Sequence, residues 1–200
     1  MVDTWSETAL VAIAAQGGTD VKFQAITETV DIDIGDKDFD VISTLSGGRL
    51  VKFTPQEPTT ITLEAYPLDA GTEGFTTATN GAGFFDLMNT FDDSQPLKIV
   101  TDRNRNKFRI CILWTDKTSE TDATAEIAAP TNQGMRIVAA DGYFTSVKPS
   151  FTDGILKFTV TYKVPPFDSS GAGNVMIESV SGSATATMTA LASYTTTTKW

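Results

Sequence analysis

Along much of the chain apolar and polar residues alternate with a period of two, the mark of strands that bury one face and wet the other. The run 155–164 is the clearest case. Leu156, Phe158, Val160, Tyr162 and Val164 share one face, and Lys157, Thr159, Thr161 and Lys163 share the other. Asp153-Gly154 just before it is a tight-turn signal, so Tyr143 to Phe151 is predicted to run back antiparallel as its hairpin partner. Pro165-Pro166 ends the strand, because proline has no N–H for a ladder.

A second long hairpin is predicted from Leu97 to Trp114, its arms separated by the polar tip Asp102-Arg103-Asn104-Arg105-Asn106. Its return arm, Phe108 to Trp114, is apolar on both faces around Cys111, which suits a central strand with a buried structural thiol. A third hairpin is expected at Val41 to Phe53 around Gly47-Gly48, followed by a strand at Thr59 to Tyr66 and preceded by one within Val21 to Ile34. Helix signals are few. Phe84, Phe85, Leu87, Met88 and Phe91 come close to helical spacing and predict one short helix at 84–91. The fold expected is all-β, an antiparallel β-sandwich with long hairpins and one short flanking helix. A single domain of residues 1–200 would carry an N-terminal arm at 1–19, a long contact loop at 67–83 and a C-terminal strand and tail at 184–200.

Composition narrows the chemistry. There is no His and one Cys among 200 residues, so imidazole-based triads, Cys-His pairs and Cys/His zinc sites are excluded, as is an internal disulfide. No motif supports an enzyme, and no cofactor is expected. No apolar run reaches the roughly 18 residues of a membrane span. The apolar stretch Ala9 to Ala15 follows Asp3 and Glu7 instead of basic residues, so neither membrane insertion nor a cleaved leader is expected. The net charge of −10 is regional: residues 1–100 hold 5 basic and 16 acidic groups, residues 101–200 hold 10 and 9.

The densest cluster of chemistry is Asp31, Asp33, Asp36, Asp38 and Asp40, with Glu28 just before it. An EF-hand loop counted from Asp31 needs Gly at its sixth position and Glu at its twelfth, where this chain has Asp36 and Ile42. The strand period instead turns Asp31 and Asp33 to one side and Ile32 and Ile34 to the other, which makes an exposed acidic face. Arg103, Arg105, Lys107 and Arg109 form the basic counterpart. Complementary charge between that tip and an acidic edge would fix register between two copies.

The stretch Gly142-Tyr143-Phe144-Thr145-Ser146-Val147-Lys148-Pro149-Ser150-Phe151-Thr152-Asp153-Gly154, its continuation to Val160, and Lys163-Val164-Pro165-Pro166-Phe167-Asp168 resemble the major tail tube proteins of long-tailed viruses. What that resemblance implies is a self-assembling virion protein made in the host cytoplasm. Six copies would form a ring, and stacked rings a tube joined at its ends to other tail proteins, through which double-stranded DNA leaves. If each subunit gave about four strands, about 24 strands at ~4.8 Å spacing and ~40° tilt would close at roughly 48 Å, wide enough for a duplex. On this reading Asp31, Asp33, Asp36, Asp38 and Asp40 are lumen-lining candidates that repel a passing polyanion. Arg103, Arg105, Lys107 and Arg109 are candidates for charge contacts between subunits, and the low pI suggests a salt-rich habitat. The alternatives are another tail or baseplate component, or a carbohydrate-binding or adhesin-like sandwich with calcium at 31–40.

Overall fold

A computed structural model describes residues 8–15, 21–22, 25–67, 107–116, 126–128, 132–180 and 187–189. All the elements they form are strands: β1 Thr8–Ala15, β2 Val21–Lys22, β3 Ala25–Asp33, β4 Phe39–Ser43, β5 Arg49–Phe53, β6 Thr59–Pro67, β7 Phe108–Thr115, β8 Glu126–Ala128, β9 Gly134–Thr152, β10 Ile155–Val164, β11 Val175–Val180 and β12 Thr187–Thr189. Every pairing among them is antiparallel. The predicted helix at 84–91, the outgoing arm at 97–101, the tip 102–106 and all of the loop predicted at 67–83 except Pro67, which ends β6, lie outside the described residues.

The 19-residue strand β9 organises the molecule. Its first half pairs with β7 and β11, and β7 continues to β1 and β2. Its second half pairs with β10, which continues through β6 to β3. The two halves belong to two sheets that close on one core, built from Val11, Ile13, Ile110 and Ile112 on one side and Ile61, Leu63, Val160 and Val164 on the other. This is the expected sandwich, with one strand shared between its layers.

The crossing has a visible cause. Register shifts at Ala140–Asp141 against β7 and at Thr145 against β10 bend the strand, and Asp141 takes a left-handed φ of 59°. Tyr162 is fully buried at this bend. Its hydroxyl accepts the Gly142 N–H at 2.9 Å and lies 2.7 Å from the Phe108 carbonyl and 3.0 Å from that of Ala139, able to donate to either. Burial pushes the Tyr162 phenol well above its ordinary range, so it stays a neutral donor. A Cβ on residue 142 would stand 2.3 Å from the Tyr162 ring, so only glycine fits. Phe144 packs between the rings of Phe108 and Tyr162, at 5.0 and 5.3 Å.

The predicted β9–β10 hairpin forms at Asp153-Gly154, β10 stops before Pro165, and β7 is the central strand with Cys111 buried. The arm expected at 1–19 is corrected in part. β1 pairs with β7 along its whole length and buries Val11, Ala12, Ile13 and Ala14. A short run of small and β-branched apolar residues suits a strand covered on both faces, which arms are not. At the other end only β12 of the predicted strand and tail is described, and it pairs with β8.

Candidate assembly surface

Within the sandwich, β3, β6, β10 and the second half of β9 make a four-stranded sheet with one core face and one polar face. Val30 and Ile32 pack on the core, so Asp31 and Asp33 lie opposite, exposed. Register carries that polar face across the strands in rows. Thr29 is level with Glu64, Thr159 and Lys148; Asp31 with Thr62, Thr161 and Ser146; Asp33 with Thr60, Lys163 and Tyr143. The face is mostly Thr and Ser, and its described charges are Asp31, Asp33 and Glu64 against Lys148, Lys157 and Lys163. Lys157 and Glu64 pair at 2.9 Å. Asp31 and Asp33 are exposed as expected, and the face they share balances in charge, acidic towards β3 and basic towards β9.

Both edges of this sheet are open among the described residues. β3 pairs only with β6, and from Tyr143 onward β9 pairs only with β10. An open strand edge presents free N–H and C=O groups and is a template for pairing with another chain.

A hairpin projects from the end of the sheet where β3 stops and β6 starts. Its neck is tightly made. The Thr54 hydroxyl and N–H both donate to the Asp38 carbonyl at 2.9 Å, the Asp38 N–H donates back to the Thr54 hydroxyl at 3.0 Å, and the Glu57 N–H donates to the Asp36 carbonyl at 3.1 Å. Gly35, at φ 79°, sits so close to the Glu57 carbonyl that a Cβ would lie 2.4 Å from it. At the far end the Thr44 hydroxyl donates to the Gly48 carbonyl at 3.0 Å. Between neck and turn, β4 and β5 pair only with each other among the described residues. Phe39 opposes Phe53 and Val41 opposes Val51 on one face, and Ile42 opposes Leu50 on the other. All six are exposed, Phe39 at 54% and Phe53 at 62%. A second apolar patch, Phe151, Ile155 and Leu156, lies at the β9–β10 turn, beside Tyr66 and Pro67 at the opposite end of the sheet.

The predicted residues distribute as follows. Asp31 and Asp33 are on the polar face. Asp36 and Asp38 are in the hairpin neck, and Asp40 is on β4 opposite Lys52, all exposed. The five do not converge: Asp33 accepts the Gly35 N–H at 3.0 Å and Asp38 the Phe39 N–H at 2.7 Å. Among the described residues no group of three or more His, Cys, Asp or Glu is placed to hold a metal ion. Lys107 lies 3.9 Å from Asp141 within the same chain, and Arg109 is half-buried on β7 opposite Ala14. Arg103 and Arg105 lie outside the described residues. Sequence reasoning missed the hairpin's exposed apolar residues and Lys148, and it placed Lys157 and Lys163 on a polar face without joining that face to Asp31 and Asp33. The signal for the first was present, since 39–42 and 50–53 are apolar on both faces, which one core cannot satisfy.

No family model matches the chain, and a search of curated proteins gives no match. Solved structures do align. The sheath-tube complex of an extracellular contractile injection system, PVC, in its extended state contains a chain 18% identical, with 90% of this chain and 93% of that one covered at a TM-score of 0.47. The sheath/tube terminator of that system aligns at 16% identity over 89% and 96%, with a TM-score of 0.45. The tube-terminating cap of the anti-feeding prophage aligns at 15% over 90% and 95%, with a TM-score of 0.44.

Proposed function

We propose that the chain is a structural subunit of a virion tail tube, that its copies join edge to edge into six-membered rings, and that the rings stack into a conduit for the genome. The observation that carries this reading is the four-stranded sheet with a wet, Thr-rich face, a core-backed face and two edges open among the described residues. Six such sheets supply the 24 strands of a barrel about 48 Å across, and closure removes every edge. The exposed hairpin of β4 and β5 supports the same reading from another side. A two-stranded hairpin is marginal in water on its own, and exposed apolar residues on both of its faces call for neighbouring copies. The segment 67–83 and the termini would add contacts between subunits or to other tail proteins.

On this proposal Asp31 and Asp33 belong to the wall, with Asp36, Asp38 and Asp40 at its rim. A duplex slides past because the wall has no net positive charge with which to grip phosphate. The bound state of lowest energy is then the assembled tube, and DNA is a passing neighbour.

Negative-stain microscopy of the purified chain over a range of concentration and salt tests the reading. Rings or hollow tubes are expected. A chain that stays monomeric throughout would overturn it, and a ring reconstruction with Asp31 and Asp33 on the outer surface would overturn the wall assignment alone.

A further inference from the structure

The two edges of the four-stranded sheet that are open among the described residues are chemically unlike. β3 presents Asp31 and Asp33, β9 presents Lys148, and all three are exposed on the same polar face. Each edge also has a boundary. The register shift between Thr27 and Thr29 leaves Glu28 as an extra residue on β3, so its regular ladder is 29–33. On β9 the open stretch begins after the bend at Asp141-Gly142, and Pro149 interrupts the supply of N–H donors, leaving 143–148. Strand direction alternates from β3 through β6 and β10 to β9, so β3 of one copy beside β9 of another would run antiparallel and continue the pattern.

The geometry points to a polar seam in which β3 of one copy pairs with residues 143–148 of β9 in a second copy, Asp31 and Asp33 facing Lys148 across the joint. This rests on the reading of the chain as a ring-forming subunit and adds what decides its direction. Because side chains alternate faces with period two, an extended sheet keeps these three residues on one surface. Pairing β3 with β3 sets carboxylate against carboxylate at Asp31, and pairing β9 with β9 joins two lysine-bearing edges with no carboxylate between them. Like charges directly opposed destabilise a strand pair and opposite charges stabilise it, so the β3–β3 joint is opposed, the β9–β9 joint gains nothing, and the mixed joint is favoured over both. The head-to-tail joint that remains is heterologous, the kind that repeats from copy to copy and closes only as a ring. Lys148, instead of the tip at 103–109, is the base that the sheet itself carries to its far edge.

The test uses the full chain with D31K/D33K and K148E, each alone, mixed in equal amounts, and combined. Assembly is followed by sedimentation velocity and negative stain at about 0.1 M salt, where exposed charges within roughly 10 Å still interact. Folding is followed by circular dichroism. Each variant alone is expected to need roughly tenfold or more protein to assemble, as like charges replace opposite ones. The mixture and the combined variant are expected to recover, since opposite charges then meet at the seams again. Unchanged assembly of the separate variants, or no recovery in the mixture, overturns the seam and leaves the tube reading intact. A wild-type chain that forms no rings overturns both. Should D31K/D33K lose its folded spectrum, D31N/D33N and K148Q replace the reversals; both are expected to assemble about threefold less readily, and unchanged assembly would overturn the seam.

Discussion

Two hairpins in this chain are alike in backbone and opposite in burial. β9 and β10 turn at Asp153-Gly154 and send Phe158, Val160, Tyr162 and Val164 into the core, with Lys and Thr on the other face. β4 and β5 turn at 44–48 and leave Phe39, Val41, Ile42, Leu50, Val51 and Phe53 exposed. A fully buried side chain of this size contributes about 1.5–3 kcal/mol to folding, so the first hairpin is part of what holds the monomer together. The second gains almost nothing from its apolar residues within one copy. Its Phe39 and Phe53 rings meet edge-on at 6.2 Å and the Lys37 ammonium sits 5.4 Å from the Phe53 ring centre, but no second layer covers them among the described residues. Alternation is what a single core asks of a hairpin, and apolar residues on both faces are what a partner asks.

The contrast breaks most sharply at the bend of β9. Gly142→Val forces a branched side chain into the Tyr162 ring, and because both sheets meet there neither can give way without the other. A loss of about 3 kcal/mol or more, with unfolding at a much lower denaturant midpoint, is expected. Tyr162→Phe is gentler. It keeps the ring and removes both the acceptor of the Gly142 N–H and the one donor shared by the Phe108 and Ala139 carbonyls, at a cost of about 1–3 kcal/mol by urea unfolding. The same residue sets an alkaline limit. Its folded-state value is raised, so its contribution is complete below the unfolded-state value near 10 and falls as pH rises beyond it, by about 1.4 kcal/mol per pH unit. In Tyr162→Phe that component of the alkaline decline should vanish.

How much of this was legible in the sequence depends on whether the information was local. The strand of 155–164, its turn and its proline stop are written in period, dipeptide and missing N–H, and they appear where expected. The buried Cys111 strand was legible for the same reason. β1 was not, because Ala and Val in a short run fit an arm and a core strand equally, and only the partner β7 decides. The exposure of Asp31 and Asp33 followed from alternation, but the charge of the face they share did not. Lys157 and Lys163 reach it from more than a hundred residues away through two ladders, and Lys148 through three. The bend that splits β9 between two sheets was equally hidden, since a 19-residue strand gives no local sign of changing layers apart from Asp141-Gly142.

The smallest expected effect on the monomer is the most informative about the second hairpin. Phe39→Ser with Phe53→Ser removes the two opposed rings at its neck while leaving the Thr54–Asp38 hydrogen bonds and the turn at Gly47-Gly48 in place. Since both rings are more than half exposed, monomer stability should change by no more than about 0.5 kcal/mol in urea unfolding. Tube formation should be lost, because two apolar anchors more than half exposed are the side chains with most to gain from a neighbour. A fall in monomer stability comparable to that of Tyr162→Phe would mean that the hairpin folds back on its own body in solution. Unaltered tubes would mean that its apolar faces serve no joint between copies. Only the combination of a stable monomer and absent tubes keeps the two hairpins in their separate roles, one building the subunit and the other building the assembly.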